Sequence, residues 1–378
     1  MKGIPGFRGE RLRQAREAMG LNQTKLADLL NVSRQAVSQY ESGADTPSPT
    51  VFDQIRAVLR HDAQFFLRPA FPGTTQTQFY RSMASMTKTA RLRAETRQIW
   101  MRELLGYISE LVELPPVCFP AGTTQPAAQI SMEEIEGLAW DVRQQWKLSD
   151  APIRNLVSVA ETQGAIVVRH ALDSASLDAM SEWLQPEDRP LILLNSDKNS
   201  AVRSRLDLGH EIGHMLLHRN VSKDQFADDE QFQLLEAQAF RFGAALLLPE
   251  RPFLEDLYTV TLDALRSLKL KWKVSIAMMI ERLRDLGIVT AEQYRRLRIN
   301  YSTRGWNRVE PYDNEIPVEE PTLFAKCLQF MDAQNLQRVD QIATQSGFSA
   351  EWIERLLAVK TAPEPPLPLR LIEFKLRA

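Results

Sequence analysis

The chain has 378 residues, 44% of them hydrophobic and 25% charged, and its formal net charge is −2. These values describe a soluble globular protein of two or three domains and exclude a polycation, so any nucleic-acid binding must come from a local surface. Because there is no signal-peptide pattern or membrane-length apolar run, and Cys118 and Cys327 lie far apart, we expect a cytoplasmic protein with no membrane contact and no disulfide framework.

The first 62 residues predict a bundle of short helices. Apolar spacing and capping residues give helices over residues 9–19, 23–30 and 34–41. Asn22 and Ser33 are suited to cap the second and third of these, and a short turn at 31–32 joins them. Two short helices joined in this way predict a helix-turn-helix, whose second helix enters the major groove of DNA.

The outward face of the third predicted helix carries side chains that can read DNA bases. These are Arg34, Gln35, Ser38 and Gln39. Guanidinium, amide and hydroxyl groups can donate to guanine or adenine edges, although a small helical protein-interaction domain is the alternative. Because the segment is only mildly basic, we expect modest affinity from a monomer, and therefore a homodimer on a palindromic operator in double-stranded DNA.

Two stretches of this segment carry a specific motif, Gln23-Thr-Lys-Leu-Ala and Val32-Ser-Arg-Gln-Ala-Val-Ser-Gln-Tyr-Glu-Ser-Gly, followed by Pro47-Ser. They resemble the XRE family of phage-repressor-like helix-turn-helix proteins. The resemblance implies a five-helix domain, with base contacts from Arg34, Gln35 and Gln39. It also implies a phosphate contact from Gln23 at a helix N-terminus, where backbone N–H groups are free.

A connector is predicted next. Pro72-Gly73 interrupts regular secondary structure, and after it a long helix is expected over residues 81–112. Its basic side chains are Arg81, Lys88, Arg91, Arg93, Arg97 and Arg102. They fit either a second contact with the DNA backbone or a solvated helix face whose apolar side packs inward.

The middle of the chain predicts helices followed by a small sheet. Helices are expected over residues 132–146 and 152–162, and strands over residues 164–169 and 189–195. The stretch between the strands, which contains residues 180–184, is expected to be a loop. Strand 189–195 is our candidate for an edge strand that pairs with an extended peptide.

The clearest chemical motif is the run 206–218, Leu-Asp-Leu-Gly-His-Glu-Ile-Gly-His-Met-Leu-Leu-His. On a helix, His210 and His214 project from one face about a turn apart, which suits two ligands of one Zn²⁺. Glu211 lies beside them, placed to take a proton from water. The alternative is a buried helix that carries two histidines without a metal.

A catalytic zinc site needs a third protein ligand. His218 lies a further turn along, and one straight helix cannot bring all three imidazoles to one ion, so we expect a structural or substrate-side role for it. Glu236, near the start of a second apolar helix predicted over residues 235–249, can reach the metal if the helices cross. The acidic run at 224–230 is expected to be solvated.

Two motifs of this region are Arg203-Ser-Arg-Leu-Asp-Leu-Gly-His-Glu-Ile-Gly-His-Met-Leu-Leu-His and Glu236-x-x-Ala-x-x-Phe-x-x-x-Leu-Leu-x-Pro. They resemble the ImmA/IrrE metallopeptidases, which cleave repressor proteins in response to damage or mobile-element signals. The resemblance implies a zincin-like fold in which His210, His214 and Glu236 bind Zn²⁺ and Glu211 is catalytic. Gln238 and Phe240 depart from the family, which often has Glu and Asn there. Known XRE–ImmA fusions include regulators that sense small metabolites.

The remaining chain predicts more helices, over residues 257–268 and 275–286, one that opens at Thr290, and two between 324 and 359. The family resemblance implies that the basic turn 269–273 covers the cleft. The polar loop 304–311 is expected to line the same cleft. A short strand or arm is expected over residues 369–374.

These patterns predict a mainly α fold with a small β-sheet, in the α+β class. The expected parts are a helix-turn-helix domain (1–66), a linker with the connector helix (67–116), a zincin-like domain (117–252) and a C-terminal helical region (253–378). Two functions stay open. The intact His-Glu-x-x-His motif favours a regulator that cleaves a repressor protein or itself. The fused helix-turn-helix domain favours a ligand-sensing transcription factor.

Overall fold

The computed structural model describes residues 3–71, 87–171, 177–185, 188–197, 200–336, 339–357, 359 and 375–376. Within these ranges the chain is mainly helical with one three-stranded sheet and one two-stranded ladder, which confirms the predicted α+β class. None of the helices in these ranges combines the length and the apolar character that a membrane span requires.

Five short helices form the N-terminal bundle, as predicted: α1 (Gly9–Ala18), α2 (Gln23–Leu30), α3 (Arg34–Ser42), α4 (Pro49–Leu59) and α5 (Ala63–Leu67). The capping residues explain where they begin. The side chain of Asn22 accepts a hydrogen bond from the backbone N–H of Lys25, and Ser33 accepts one from Ala36. Each bond satisfies a free N–H group in the first turn of its helix.

The connector helix, α6 (Lys88–Ser109), runs from the bundle toward the sheet. Its predicted start at Arg81 lies outside the described residues, and it ends before residue 112. There Val112–Glu113 (β1) pair antiparallel with Lys375–Leu376 (β5). The arm predicted over residues 369–374 also lies outside the described residues.

The central sheet corrects two predictions. It consists of β2 (Ile166–His170), β3 (Ala179–Leu184) and β4 (Arg189–Asn195), in the order β2-β4-β3. Residues 180–184 were expected in a loop but belong to β3, and β4 was expected at an edge but is the central strand. The uninterrupted apolar run of β4 explains its position, because a central strand covered on both faces needs no alternation of polar residues.

The two faces of the sheet belong to different hydrophobic clusters. Leu191 and Leu193 of β4 lie in a cluster that also contains the α6 residue Trp100 and core residues of the N-terminal bundle. Ile192 and Leu194 point the other way, into the core around the histidine-bearing helix. The sheet therefore lies between that helix on one side and a core continuous with the N-terminal bundle on the other.

Two long helices cross above the sheet. The first, α9 (Ala201–Leu217), contains the run 206–217 of the histidine motif and ends just before His218. After the short α10 (Lys223–Ala227), the second is α11 (Asp229–Leu247). Glycines let these helices approach closely: a Cβ on Gly213 would lie 2.9 Å from the carbonyl oxygen of Ala239. Glu236 is therefore in the middle of α11, where the two helices meet, and not near the helix start.

Other helices surround these layers. A 3-10 turn (Ala127–Gln129), α7 (Met132–Gln145) and α8 (Leu156–Thr162) precede the sheet. After α11 come α12 (Glu250–Glu255), α13 (Leu262–Trp272), α14 (Ile276–Asp285), α15 (Ala291–Thr303), α16 (Leu323–Ala333), α17 (Val339–Ser346) and α18 (Ala350–Leu357). The predicted helix 257–268 is shifted, because Thr261 caps α13. In the described part of the stretch from 324 to 359 there are three helices, where two were predicted.

Candidate functional site

Three potential metal ligands converge where α9 crosses α11. The Nε2 atoms of His210 and His214 are 2.9 Å apart, and His214 Nε2 lies 3.2 Å from Glu236 Oε1. His210 Nε2 lies 3.4 Å from Glu236 Oε2. One ligand atom from each of the three residues falls within 4.8 Å of the others, so together they could hold a metal ion.

The chemistry of this donor set fits zinc. Two imidazole nitrogens and one carboxylate are a ligand set of catalytic zinc sites, which keep a further position open. Although burial opposes it, the neighbouring imidazoles of His210 and His214 lower the pKa of Glu236, so it is a carboxylate at neutral pH. Burial lowers the pKa of His214 to about 4, which keeps this imidazole neutral and able to ligate.

Glu211 lies beside this cluster with its carboxylate pointing toward the sheet. Its Oε2 accepts a 2.6 Å hydrogen bond from Oγ of Ser181, on the edge strand β3. Burial raises the pKa of Glu211 to about 7, against the opposing effects of His210 and Ser181. A carboxylate with a pKa near 7 can both take up and release a proton at neutral pH.

His218 does not reach the ligand cluster, in agreement with the length argument from the sequence. Its Nδ1 faces Nδ1 of His214 at 2.8 Å, and its Nε2 lies 3.0 Å from Oε1 of Gln238. It is fully buried, and burial lowers its pKa to about 3. His218 therefore contacts His214 at Nδ1, on the side of the ring opposite to the ligand cluster.

The cluster opens onto a cleft with a volume of about 520 Å³. Asp178 and Ala179 at the start of β3 line one part, and Trp306 and Arg308 line another. The polar loop 304–311 therefore contributes to the cleft, as predicted.

The basic segment 269–273 does not line this cleft, contrary to the expectation that it covers it. Most of it continues α13, which ends at Trp272. Lys269 is fully buried and its Nζ donates to Glu310 at 2.8 Å and also to Asp313. Glu310 and Asp313 line the cleft themselves. Lys269 therefore supports the cleft from inside the protein.

The predicted DNA-reading face is open to solvent. Arg34, Gln35, Ser38 and Gln39 are all exposed on the outer side of α3. Gln23 differs, because it is half-buried and its amide nitrogen donates to Oε2 of Glu41 at 2.9 Å. That bond links the start of α2 to the end of α3.

The basic residues of the connector have more than one role. Lys88 and Thr89 line a groove together with Gln23 and Arg34, next to the DNA-reading face. In contrast, Arg97 is buried and donates to the carbonyl oxygens of Ala18 and Ala171, so it joins the bundle to the chain after β2. Arg81 lies outside the described residues. The start of the helix suits a DNA-backbone contact, and its middle is structural.

Sequence reasoning missed the roles of two polar residues at this site. Ser181 was assigned to a loop, and Gln238 was noted only as a departure from a family pattern. Both form hydrogen bonds to residues distant in sequence, Ser181 to Glu211 and Gln238 to His218, Ala127 and Ile130. Such partners depend on the packing of β3 against α9 and of α11 against the 3-10 turn, so the sequence carries no local signal for them.

Two family models match the chain. One, described as a helix-turn-helix, matches residues 12–62, and the other, described as an IrrE N-terminal-like domain, matches residues 160–284. The matches confirm the predicted fusion of an XRE-type DNA-binding domain with a metallopeptidase-like domain. The comparison with curated proteins gave no match.

Proposed function

We propose that this chain, which joins an XRE-type helix-turn-helix to an IrrE N-terminal-like domain, is a transcriptional regulator whose second domain is a zinc metallo-endopeptidase. The proposed substrate is a repressor protein, or this chain itself, cleaved in response to stress or a mobile-element signal. The observation that carries the proposal is the convergence of His210, His214 and Glu236 beside Glu211, at one cleft.

The proposed metal ligands are His210, His214 and Glu236. Zn²⁺ bound there would supply Lewis-acid chemistry, polarising a peptide carbonyl and making water a better nucleophile at neutral pH. Glu211 would take the proton from the attacking water and pass it to the leaving amine. The hydrogen bond from Ser181 supports this role, because it orients the carboxylate while leaving the second oxygen for the water.

The edge of the sheet offers a place for the peptide. Strand β3 pairs with β4 on one side, and no other strand of the described ranges pairs with its opposite side. Asp178 and Ala179 bring the beginning of β3 to the cleft. At the cleft, an extended peptide could pair with the start of this edge through backbone hydrogen bonds. This assigns to β3 the role that the sequence suggested for residues 189–195.

On the DNA side, we propose that Arg34, Gln35, Ser38 and Gln39 contact bases and Gln23 contacts phosphate. The small reader suggests a homodimer on a palindromic operator. DNA binding in turn suggests a cytoplasmic location. The division of the chain at residues 66, 116 and 252 remains part of this proposal.

A second candidate is a ligand-sensing transcription factor in which the cleft binds a small molecule without proteolysis. One observation favours it: the back of the sheet and the N-terminal bundle share one continuous hydrophobic cluster. Occupancy of the cleft on the other side of the sheet could therefore alter the position of the DNA reader. This candidate gives no reason for Glu211, whose carboxylate a binding pocket does not need.

The two candidates are separated by comparing cells that carry the wild-type protein, Glu211→Gln or Glu230→Gln. Glu230 is an exposed acid on α11 and serves as the matched control. New protein N-termini would be mapped by mass spectrometry under inducing stress. Cleavage by the wild type and Glu230→Gln, but not by Glu211→Gln, supports the peptidase. Identical N-termini in all three strains, with intact gene regulation in each, would overturn it and leave the ligand sensor.

A further inference from the structure

His214 is held from behind by a series of buried side chains that the proposed chemistry does not use. Its Nδ1 lies 2.8 Å from Nδ1 of His218, and His218 Nε2 lies 3.0 Å from Oε1 of Gln238. His218 and Gln238 are both 0% exposed, so bulk water does not compete for these contacts. The series ends on two backbone carbonyls, because the amide nitrogen of Gln238 donates to Ala127 at 2.8 Å and to Ile130 at 3.3 Å.

These two carbonyls fix the direction of the Gln238 amide. A carbonyl oxygen only accepts hydrogen bonds, so the group facing Ala127 and Ile130 must be the NH₂ group. The reverse orientation would set the amide oxygen against two carbonyl oxygens in a buried site and leave that amide oxygen without a donor. Gln238 therefore presents its oxygen to His218.

The fixed amide determines where the protons of both histidines lie. Because the Gln238 oxygen only accepts, His218 donates to it from Nε2–H. A buried imidazole whose partners are an amide and another imidazole is neutral and carries one N–H, so Nδ1 of His218 accepts. His214 then donates from Nδ1–H, and the lone pair of its Nε2 faces His210 and Glu236.

We propose that Gln238 and His218 are positioning residues that lock His214 in the tautomer whose Nε2 lone pair is directed at the metal ligands. The inference deepens the proposed function and rests on its metal site. A free imidazole exchanges its proton between both nitrogens, and the Nε2–H form cannot ligate through Nε2. The hydrogen bonds from His214 through His218 to Gln238 exclude the Nε2–H tautomer of His214. They end at the 3-10 turn Ala127–Gln129, which is far from the ligands in sequence.

The arrangement also explains why glutamine suits this position. The ImmA/IrrE resemblance leads one to expect Glu at position 238. An ionised carboxylate could accept from His218 but has no N–H group for Ala127 and Ile130. The glutamine amide accepts from His218 and also donates to Ala127 and Ile130. The departure from the family pattern therefore provides a hydrogen-bond partner for each of these groups.

The test uses the full-length protein and the variant Gln238→Met, which keeps the side-chain length and removes both polar groups. The matched control is Gln233→Met, an exposed position on the same helix. Histidine labelled with ¹⁵N gives the tautomers of the five imidazoles in metal-free protein by NMR. Zinc affinity is measured by competition with a chelator of known affinity.

We expect the wild type to carry protons on Nδ1 of His214 and Nε2 of His218. Gln238→Met should lose the single tautomer of His218 and bind zinc about 10–100-fold more weakly, the usual effect of removing such a support. Gln233→Met should match the wild type in both measurements.

A proton on Nε2 of His214 in the metal-free wild type would overturn the inference, and this measurement does not depend on whether the variant folds. Zinc affinity of Gln238→Met within twofold of the wild type would also overturn it, while leaving the proposed metal site intact. A wild type that shows the expected tautomers but binds no zinc would instead overturn the metal site of the proposed function, and the positioning role with it.

Discussion

The indole N–H of Trp352 donates a hydrogen bond to the backbone carbonyl of Leu59, at 3.3 Å and 293 positions away in the sequence. Leu59 ends helix α4 of the DNA-binding bundle, and Trp352 lies on α18 near the C-terminus. Around them, aromatic rings from three parts of the chain form one cluster: His61, Phe65, Phe66, Trp100, Phe348 and Trp352. The DNA reader is thus packed directly against both the connector helix and the C-terminal helices.

His61 in this cluster predicts a pH-dependent loss of stability. It is stacked on Phe65 and Trp352, and neither ring nitrogen has a hydrogen-bond partner. Burial, with a smaller effect from Arg11, lowers its pKa well below the ordinary value. His61 in the unfolded chain therefore takes up a proton as the pH falls below about 6.5, whereas in the folded protein it stays neutral to a lower pH. The free energy of unfolding is therefore unaffected by protonation of His61 above about pH 6.5 and decreases as the pH falls below it.

His61→Phe should remove this contribution while filling a similar space. The difference in the free energy of unfolding between the variant and the wild type should shift in favour of the variant by up to about 1.4 kcal/mol for each pH unit below 6.5. Urea unfolding of metal-free protein at several pH values measures it. Tyr258→Phe, at a position that is 94% exposed, is the control and should follow the wild-type curve. Parallel curves for His61→Phe and the wild type would contradict the prediction.

The recognition face of α3 gives a second prediction. Arg34→Ala and Gln35→Ala should each weaken binding to the cognate operator by about 1–3 kcal/mol, with a smaller effect on non-specific DNA. Gel shifts with both kinds of DNA measure this. Arg251→Ala removes a positive charge whose side chain is 83% exposed on α12, and it should bind as the wild type does. If both α3 variants bind the operator normally, the bases are read by another surface.

The form of the operator is a third prediction. A reader of five short helices has few side chains near phosphate, so a dimer should bind two half-sites about one helical turn apart. Footprinting gives the spacing, and light scattering gives the mass of the complex. A footprint limited to one half-site, together with the mass of a single chain on DNA, would be incompatible with this arrangement.

The fourth prediction separates ligands from the base. His210→Ala, His214→Ala and Glu236→Ala should each abolish stoichiometric zinc, because three protein ligands hold the ion and none is spare. Glu211→Gln should retain zinc, since its carboxylate acts on water and not on the metal. Mass spectrometry of the intact native proteins measures metal content.

His218→Ala is the informative companion variant. It should still fill at saturating zinc, although its affinity falls, because His218 contacts His214 and not the ligand cluster. Full zinc in Glu236→Ala, combined with complete loss in His218→Ala, would exchange the roles assigned to these two residues.

The features that the sequence alone predicted depend on interactions between residues that are close in the chain. The caps Asn22 and Ser33 and the apolar spacing around them determine α2 and α3, since these interactions join residues three or four apart. The same holds for His210 and His214, whose spacing puts both on one side of α9. The exposed face of α3 and the pair of imidazoles were therefore predictable from neighbouring residues.

What only the tertiary structure decided involves residues that are distant in sequence. The order β2-β4-β3 moved the edge strand from residues 189–195 to β3, because the neighbours of a strand depend on which other segments join the sheet, and residues 180–184 had been predicted to be a loop. It also placed Ser181 against Glu211. The close crossing at Gly213 brought the middle of α11 to the histidines and gave Glu236 and Gln238 their partners. Hydrogen bonds within a helix are set by the chain itself, whereas those between elements exist only once the core has packed.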